Sequence, residues 1–299
     1  QCVEQQKHYN YIDMVILKGR QARISTYIAR RGLHYALWHS HRYTIFANVL
    51  EDIAKEGIFE YVWGGYMSLK DSVNEHPFLK ELIATSRAMK AGSYIEFNGL
   101  SHGKVACQAA SLNAVGKNYQ FSHLSEVSRM TQLLDLWESF YQGIHKSTFH
   151  HLILESTARY TGAKFMEIFK EQYDLEIAKG KPPAFKAVFI PAYMVDEYYN
   201  YPLDEGYEWD EFWRDENEDL YGPERLIASQ EWWDDYDKKN IMMPLNFMKF
   251  RRDMIDGQLA DDTIGNFSRL DMFKQNFPMT VEEAELVVGD NVFDRRILG

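Results

Sequence analysis

The residues that could do chemistry gather in three short stretches. The first is "ILKGRQARIST" (residues 16–26): an apolar segment, a polar loop opening on Lys18 and Gly19, then two hydroxyls, Ser25 and Thr26, where a helix begins. A phosphate-binding loop needs backbone N–H groups aimed at the oxygens, a cation to neutralise them and a hydroxyl to hold Mg2+. A helix N-terminus adds partial positive charge. Gly19 permits an unusual backbone angle, Ser25 or Thr26 supplies the hydroxyl, and Lys18 or Arg23 supplies the charge. The lysine and glycine usual just before the hydroxyl are replaced by Arg23 and Ile24, and the same layout also serves an ordinary strand-turn-helix.

The second stretch, "HLSEVSR" (123–129), ends an apolar strand on a carboxylate, Glu126. Nucleotide hydrolysis of this type uses one acid to hold Mg2+ and a second to polarise the attacking water. Here Ser125 occupies the first position, so Glu126 is the one ionised side chain; a helix cap is its alternative use. In the third stretch, "ILESTARYTG" (153–162), Glu155, Ser156 and Thr157 follow an apolar strand, where polar groups can sense a γ-phosphate or cap the next helix. The adjacent pair His150 and His151 points to opposite faces of a strand, a poor arrangement for one metal. The aromatic-acidic run "EWWDDYD" (231–237) suits core packing better than base stacking, because its acids repel phosphate.

These stretches require a scaffold that brings strand ends together. Apolar runs predict strands at 14–17, 43–49, 91–99, 120–126, 149–157 and 184–192, and helical spacing marks 25–39, 50–69 (through Ile53, Ile58, Phe59 and Val62), 130–144 and 161–178. Strands alternating with helices imply an α/β fold with a mainly parallel sheet flanked by helices, and ligands in such sheets sit at the carboxyl ends of the strands. After residue 200 the alternation stops. Acidic, aromatic helices are expected at 209–220, 223–237 and 244–256, so residues 1–200 read as the core and 201–299 as a mainly helical appendage.

Composition narrows the class. The 299 residues are 45% hydrophobic and 15% aromatic, enough for a sizeable core. A net charge of −11 does not suit a protein coated for nucleic acid, yet Arg20, Arg23, Arg30, Arg31 and Arg42 cluster with no acid among them. The acids between Asp204 and Asp219 lack Ca2+-loop spacing and read as a solvated face. Cys2 and Cys107 make no disulfide framework, which fits a reducing cytoplasm. No apolar run reaches the roughly 18 residues of a membrane span, so no membrane is expected.

Taken in order, "ILKGRQARIST", "TIFANVLEDIAKEGIFEYV", "GSYIEFNG", "HLSEVSRM", "LILESTARYTG" and "EEAELVVGDNVF" resemble the ATPase domain of the large terminase subunit of tailed bacteriophages over nearly the whole chain. The resemblance implies an ASCE-like P-loop ATPase core that hydrolyses ATP with Mg2+ and drives double-stranded DNA into a procapsid. Its implied partners are the portal protein, the small terminase subunit and further copies of itself in a ring, in the host cell cytoplasm. It implies that the loop Lys18, Gly19, Arg20, Gln21, Ala22, Arg23, Ile24, Ser25 and Thr26 binds nucleotide, with Lys18 on the β/γ-phosphates and Ser25 on Mg2+. Glu126 would orient the water and share in holding the metal, while Glu155, Ser156 and Thr157 would couple hydrolysis to movement. Arg23 departs from the family's loop glycine. Val115 stands where an arginine acting on a neighbour's ATP is expected, leaving Lys117 and Arg129 as candidates. The adenine-contacting glutamine would be Gln5 or Gln6. The chain ends where the family's nuclease domain begins, so no nuclease activity is expected. A scaffold that has lost activity and another nucleic-acid translocase, such as a helicase, are the alternatives.

Overall fold

The computed structural model describes residues 11–39, 43–48, 53–91, 93–110, 119–130, 133, 150–159, 163–179, 185–206, 245–257 and 268–285. The expected helices at 130–144, 209–220 and 223–237, the run 231–237, and Gln5, Gln6, Val115 and Lys117 lie outside them, apart from Met130 and Leu133.

Eight strands form one sheet: β1 (Ile12–Lys18), β2 (Tyr43–Asn48), β3 (Thr85–Met89), β4 (Tyr94–Phe97), β5 (Lys104–Ala109), β6 (Phe121–Ser125), β7 (His151–Ser156) and β8 (Lys186–Ile190). Their order is β3-β4-β5-β2-β6-β7-β1-β8. The run β5-β2-β6-β7 pairs parallel, and β3 and β4 add an antiparallel edge beside β5. The α/β class with a mostly parallel sheet is therefore the one that the alternation of apolar strands and helices implies. The central strands are apolar throughout because both faces are covered: every residue of β1, β6 and β7 is buried.

The α-helices among the described residues are α1 (Ile24–Trp38), α2 (Phe59–Asp71), α3 (Phe78–Leu82), α4 (Ala163–Lys179), α5 (Asp196–Tyr199), α6 (Leu245–Asp256) and α7 (Arg269–Asn276). A turn of π-helix, Ile53–Ile58, leads into α2. None of the described helices is long and apolar enough to cross a membrane.

The chain divides into two compact units, one made of residues 1–16, 23–156 and 167–188, the other of 17–22, 157–166 and 189–299. In the first, α1 buries Ile28, Ala29, Gly32, Leu33, Tyr35, Ala36 and Leu37, an apolar stripe at helical spacing. It lies close to the sheet because of two glycines. A Cβ on Gly32 would stand 2.5 Å from the Phe46 ring, and one on Gly103 would stand 2.1 Å from the carbonyl oxygen of Ala36. His150 and His151 are both buried and serve packing: His150 meets Asp13 at 3.1 Å, and His151 stacks on Phe121. The free thiol of Cys107 is buried as well, and burial pushes it well above the ordinary thiol range.

The second unit has its own core of Ala192, Val195, Tyr198, Phe247, Met248, Phe250, Phe273, Phe277 and Met279. Helix α7 begins on a capping box, with Ser268 and Asp271 satisfying each other's backbone N–H groups.

Candidate functional site

The loop after β1 is built by its backbone. Gly19 N–H donates to Ile190 O at 3.1 Å and Arg20 N–H to Asn276 O at 2.8 Å. The Tyr198 hydroxyl donates to Arg20 O at 2.8 Å and meets Gln21 Oε1 at 3.1 Å. Burial raises the pKa of Tyr198, which keeps this phenol a donor. Gln21 and Arg23 both take positive φ, 55° and 51°. Arg23 thus adopts the left-handed conformation for which glycine is the default. Its carbonyl accepts the first bond of α1, from Tyr27 N–H at 3.1 Å. Lys18 is buried, Ala22 packs against the second unit's core, and Arg20, Gln21 and Arg23 are exposed. Ile24, Ser25 and Thr26 open the helix, partly exposed.

Ser25 lies within the first unit, where a second group of polar residues sits at the carboxyl ends of β6 and β7. The strands are in register with Ser125 beside Glu155. Side chains alternate along a strand, so His123 shares the face of Ser125. The Ser125 hydroxyl donates to Glu155 Oε1 at 2.6 Å, and the Ser25 hydroxyl donates to the same oxygen at 2.7 Å. His123 Nε2 stands 3.6 Å from that oxygen, beyond hydrogen-bond distance. Both His123 ring nitrogens are buried with no hydrogen-bond partner among the described residues. Glu155 and His123 are 0% exposed. Burying a carboxylate costs several kcal/mol, and hydroxyl donors return roughly 1.5–3 kcal/mol each. The network therefore ties the first turn of α1 to the end of β7.

Glu155 and Ser156 face opposite ways, as neighbours on a strand must. Ser156 Oγ donates to Ser128 Oγ at 2.7 Å and accepts from Ser128 N–H at 3.1 Å, in the helical turn Val127–Arg129. Thr157 is buried. Glu126 takes φ 57° and caps that turn; its carboxyl meets Arg129 Nε at 3.4 Å, so Arg129 faces an acid of its own chain.

The described structure thus joins Ser25, Ser125 and Glu155 in one group, with Glu126 and Arg129 as a second pair and Ser156 with Ser128 as a third. The meeting of Ser25 with Glu155 is not evident from either motif alone. Neither do the strand endings give it: matching the final serines of "FSHLS" and "HLILES" would set Ser125 beside Ser156, whereas the register sets it beside Glu155.

No protein-family model and no curated protein sequence matches the chain. Solved structures similar to it include phage large terminases, the family that the motif order resembles. The large terminase ATPase domain of Thermus phage P74-26 is similar at 17% identity and a TM-score of 0.44, over 72% of this chain and 84% of that one. The large terminase of bacteriophage HK97 is similar at the same identity and TM-score, over 77% of this chain and 44% of that one. The large terminase of a thermophilic bacteriophage, in complex with ADP, is similar at 10% identity and a TM-score of 0.32, over 54% of this chain and 38% of that one.

Proposed function

We propose that the chain is the ATP-hydrolysing motor domain of a DNA-packaging terminase. The observation that carries this reading is the hydrogen bond from Ser25, at the head of α1, to a buried carboxyl group at the carboxyl end of β7. A hydroxyl at a helix N-terminus held by an acid at the strand ends suits Mg2+ and a triphosphate. The order of motifs along the chain supports it independently. The backbone of Arg23 removes one reason for reading the chain as an inactive scaffold, since arginine there keeps the conformation a glycine would take.

The residues present fit the metal: the oxygens of Ser25 and Glu155 are hard donors, and Mg2+ is commonly held by one or two carboxylates with waters and substrate phosphates. When bound, Mg2+ would supply positive charge at the β- and γ-phosphate oxygens. In this reading Lys18 neutralises the same oxygens, and N–H groups at the head of α1 offer further donors. Glu126 orients the attacking water, with Arg129 beside it. Ser156 and Thr157 pass the state of the γ-phosphate to the surrounding backbone; Ser156 does so through Ser128. Double-stranded DNA is held through its phosphates without base readout, and the portal protein, the small terminase subunit and neighbouring copies complete the machine.

The test is ATP hydrolysis by the chain with DNA present. Lys18→Ala is expected to lower turnover by ~10³-fold or more, the scale of transition-state charge stabilisation. Glu126→Gln is expected to stop hydrolysis while nucleotide still binds, because the glutamate acts on water. Normal hydrolysis by both variants would show the assignment to be wrong.

A further inference from the structure

We infer that Glu155 supplies the metal-side carboxylate that position 125 lacks, so that the acid holding Ser25 and its Mg2+ has moved one strand across the sheet. This inference rests on the ATPase reading and assigns Glu155 a role distinct from coupling. Four observations carry it. Ser125, the last residue of β6, stands where the first acid of the pair is expected and cannot carry charge. Glu155 is its register partner on the adjacent parallel strand, so the two side chains leave the sheet side by side. One oxygen of Glu155 receives both hydroxyls, Ser25 at 2.7 Å and Ser125 at 2.6 Å. His123, fully buried with neither ring nitrogen hydrogen-bonded among the described residues, reaches 3.6 Å from the same oxygen.

Each serves the same end. A buried acid is stabilised by any hydroxyl donor, but a metal-side acid must sit beside the helix-head hydroxyl in particular, and Glu155 does. Glu155 starts one strand away, roughly 4.8 Å, and its carboxylate nevertheless reaches both hydroxyls, Ser125 beside it and Ser25 at the helix head. Ser125 then becomes a donor that fixes the carboxylate rotamer, a positioning residue. His123 closes the inner side of the group. Among the described residues no cluster of three or more His, Cys, Asp or Glu could hold a metal by itself. One carboxylate plus a hydroxyl is a set that needs substrate phosphates and waters to complete it, as Mg2+ at nucleotide sites does. Glu126 is left to the water alone, which agrees with its pairing to Arg129 rather than to the hydroxyl group.

The experiment measures the affinity of the 299-residue chain for a fluorescent ATP analogue, with Mg2+ and with EDTA. The readout is the ratio of the two, with thermal melting as the check on folding. Wild type is expected to bind more tightly with Mg2+, and Glu155→Gln to lose about 10- to 100-fold of that gain while its metal-free affinity is kept. The double variant Ser125→Asp with Glu155→Ser returns the acid to β6 and is expected to restore the gain. A structural role alone would lower melting temperature and leave the ratio untouched. A Mg2+ gain kept in Glu155→Gln, or lost there and not restored by the double variant, overturns the inference while the ATPase reading stands. If Glu155→Gln does not fold, the double variant decides: a gain retained supports the inference and a gain lost overturns it. Absence of nucleotide binding by folded wild type overturns this inference and the ATPase reading together.

Discussion

Arg23 holds a left-handed backbone that costs an ordinary side chain about 1–2 kcal/mol. Its carbonyl accepts the first helical bond of α1, from Tyr27 N–H. Arg23→Gly is expected to be neutral to stabilising by about 1 kcal/mol in denaturant unfolding, since relief of that cost is only partly offset by about 0.5–1 kcal/mol of unfolded-chain entropy. Arg23→Val, branched at Cβ, is expected to lose about 1–2 kcal/mol. Equal stability of the two variants would contradict the backbone assignment. His151 gives a second residue-scale test. Burial, helped by Arg31, His150 and His39, lowers its pKa from the ordinary 6.5 to about 3. The unfolded chain therefore takes up a proton between those values and the folded chain does not. Stability is full above pH 6.5 and falls as pH drops toward 3, by at most about 1.4 kcal/mol per pH unit from this group. Unfolding midpoints measured from pH 7 down to 4 should show a shallower decline in His151→Phe than in wild type; parallel declines would exclude the assignment.

At the scale of elements, α1 presents Ser25 and is placed by contacts far from Ser25. Gly103 admits the carbonyl of Ala36 where a Cβ would collide. Gly103→Ala is expected to cost roughly 1–3 kcal/mol, as overpacking against a backbone does. It should also weaken nucleotide binding, although residue 103 lies outside the proposed binding loop. Unchanged unfolding and binding would mean that α1 is seated elsewhere. The parallel strands were legible because strands buried on both faces must be apolar along their length, as in Met14–Leu17 and Leu152–Leu154. Strands β3 and β5 were less so. Strand β3, "TSRAM", is half exposed and carries no apolar run, and β5, "KVACQA", is too weakly β-branched to stand out. Helix α7 hid for a similar reason: three apolar residues, Leu270, Met272 and Phe273, within only eight positions leave the capping box as its main mark. Within the proposed site, Lys18, Glu126 and Glu155 could each be placed at a strand end from sequence, and Ser25 at a helix start. That Ser25 and Glu155 meet, 130 positions apart, depends on the pairing register of non-consecutive strands, which periodicity does not encode.

For the whole molecule, the chain builds two compact units, and the sequence of the proposed nucleotide loop passes from one to the other between Ala22 and Arg23. Each unit secures its own part of that loop, Tyr198 holding residues 20 and 21 and Glu155 holding Ser25. The most direct test of the account is therefore thermal unfolding of the chain with and without Mg·ATP. A ligand at 100 times its Kd adds ~2.7 kcal/mol to the folded state, so wild type should melt at a clearly higher temperature with Mg·ATP, and Lys18→Ala should not move. A wild-type transition unmoved by saturating Mg·ATP would contradict the claim that this chain binds a triphosphate.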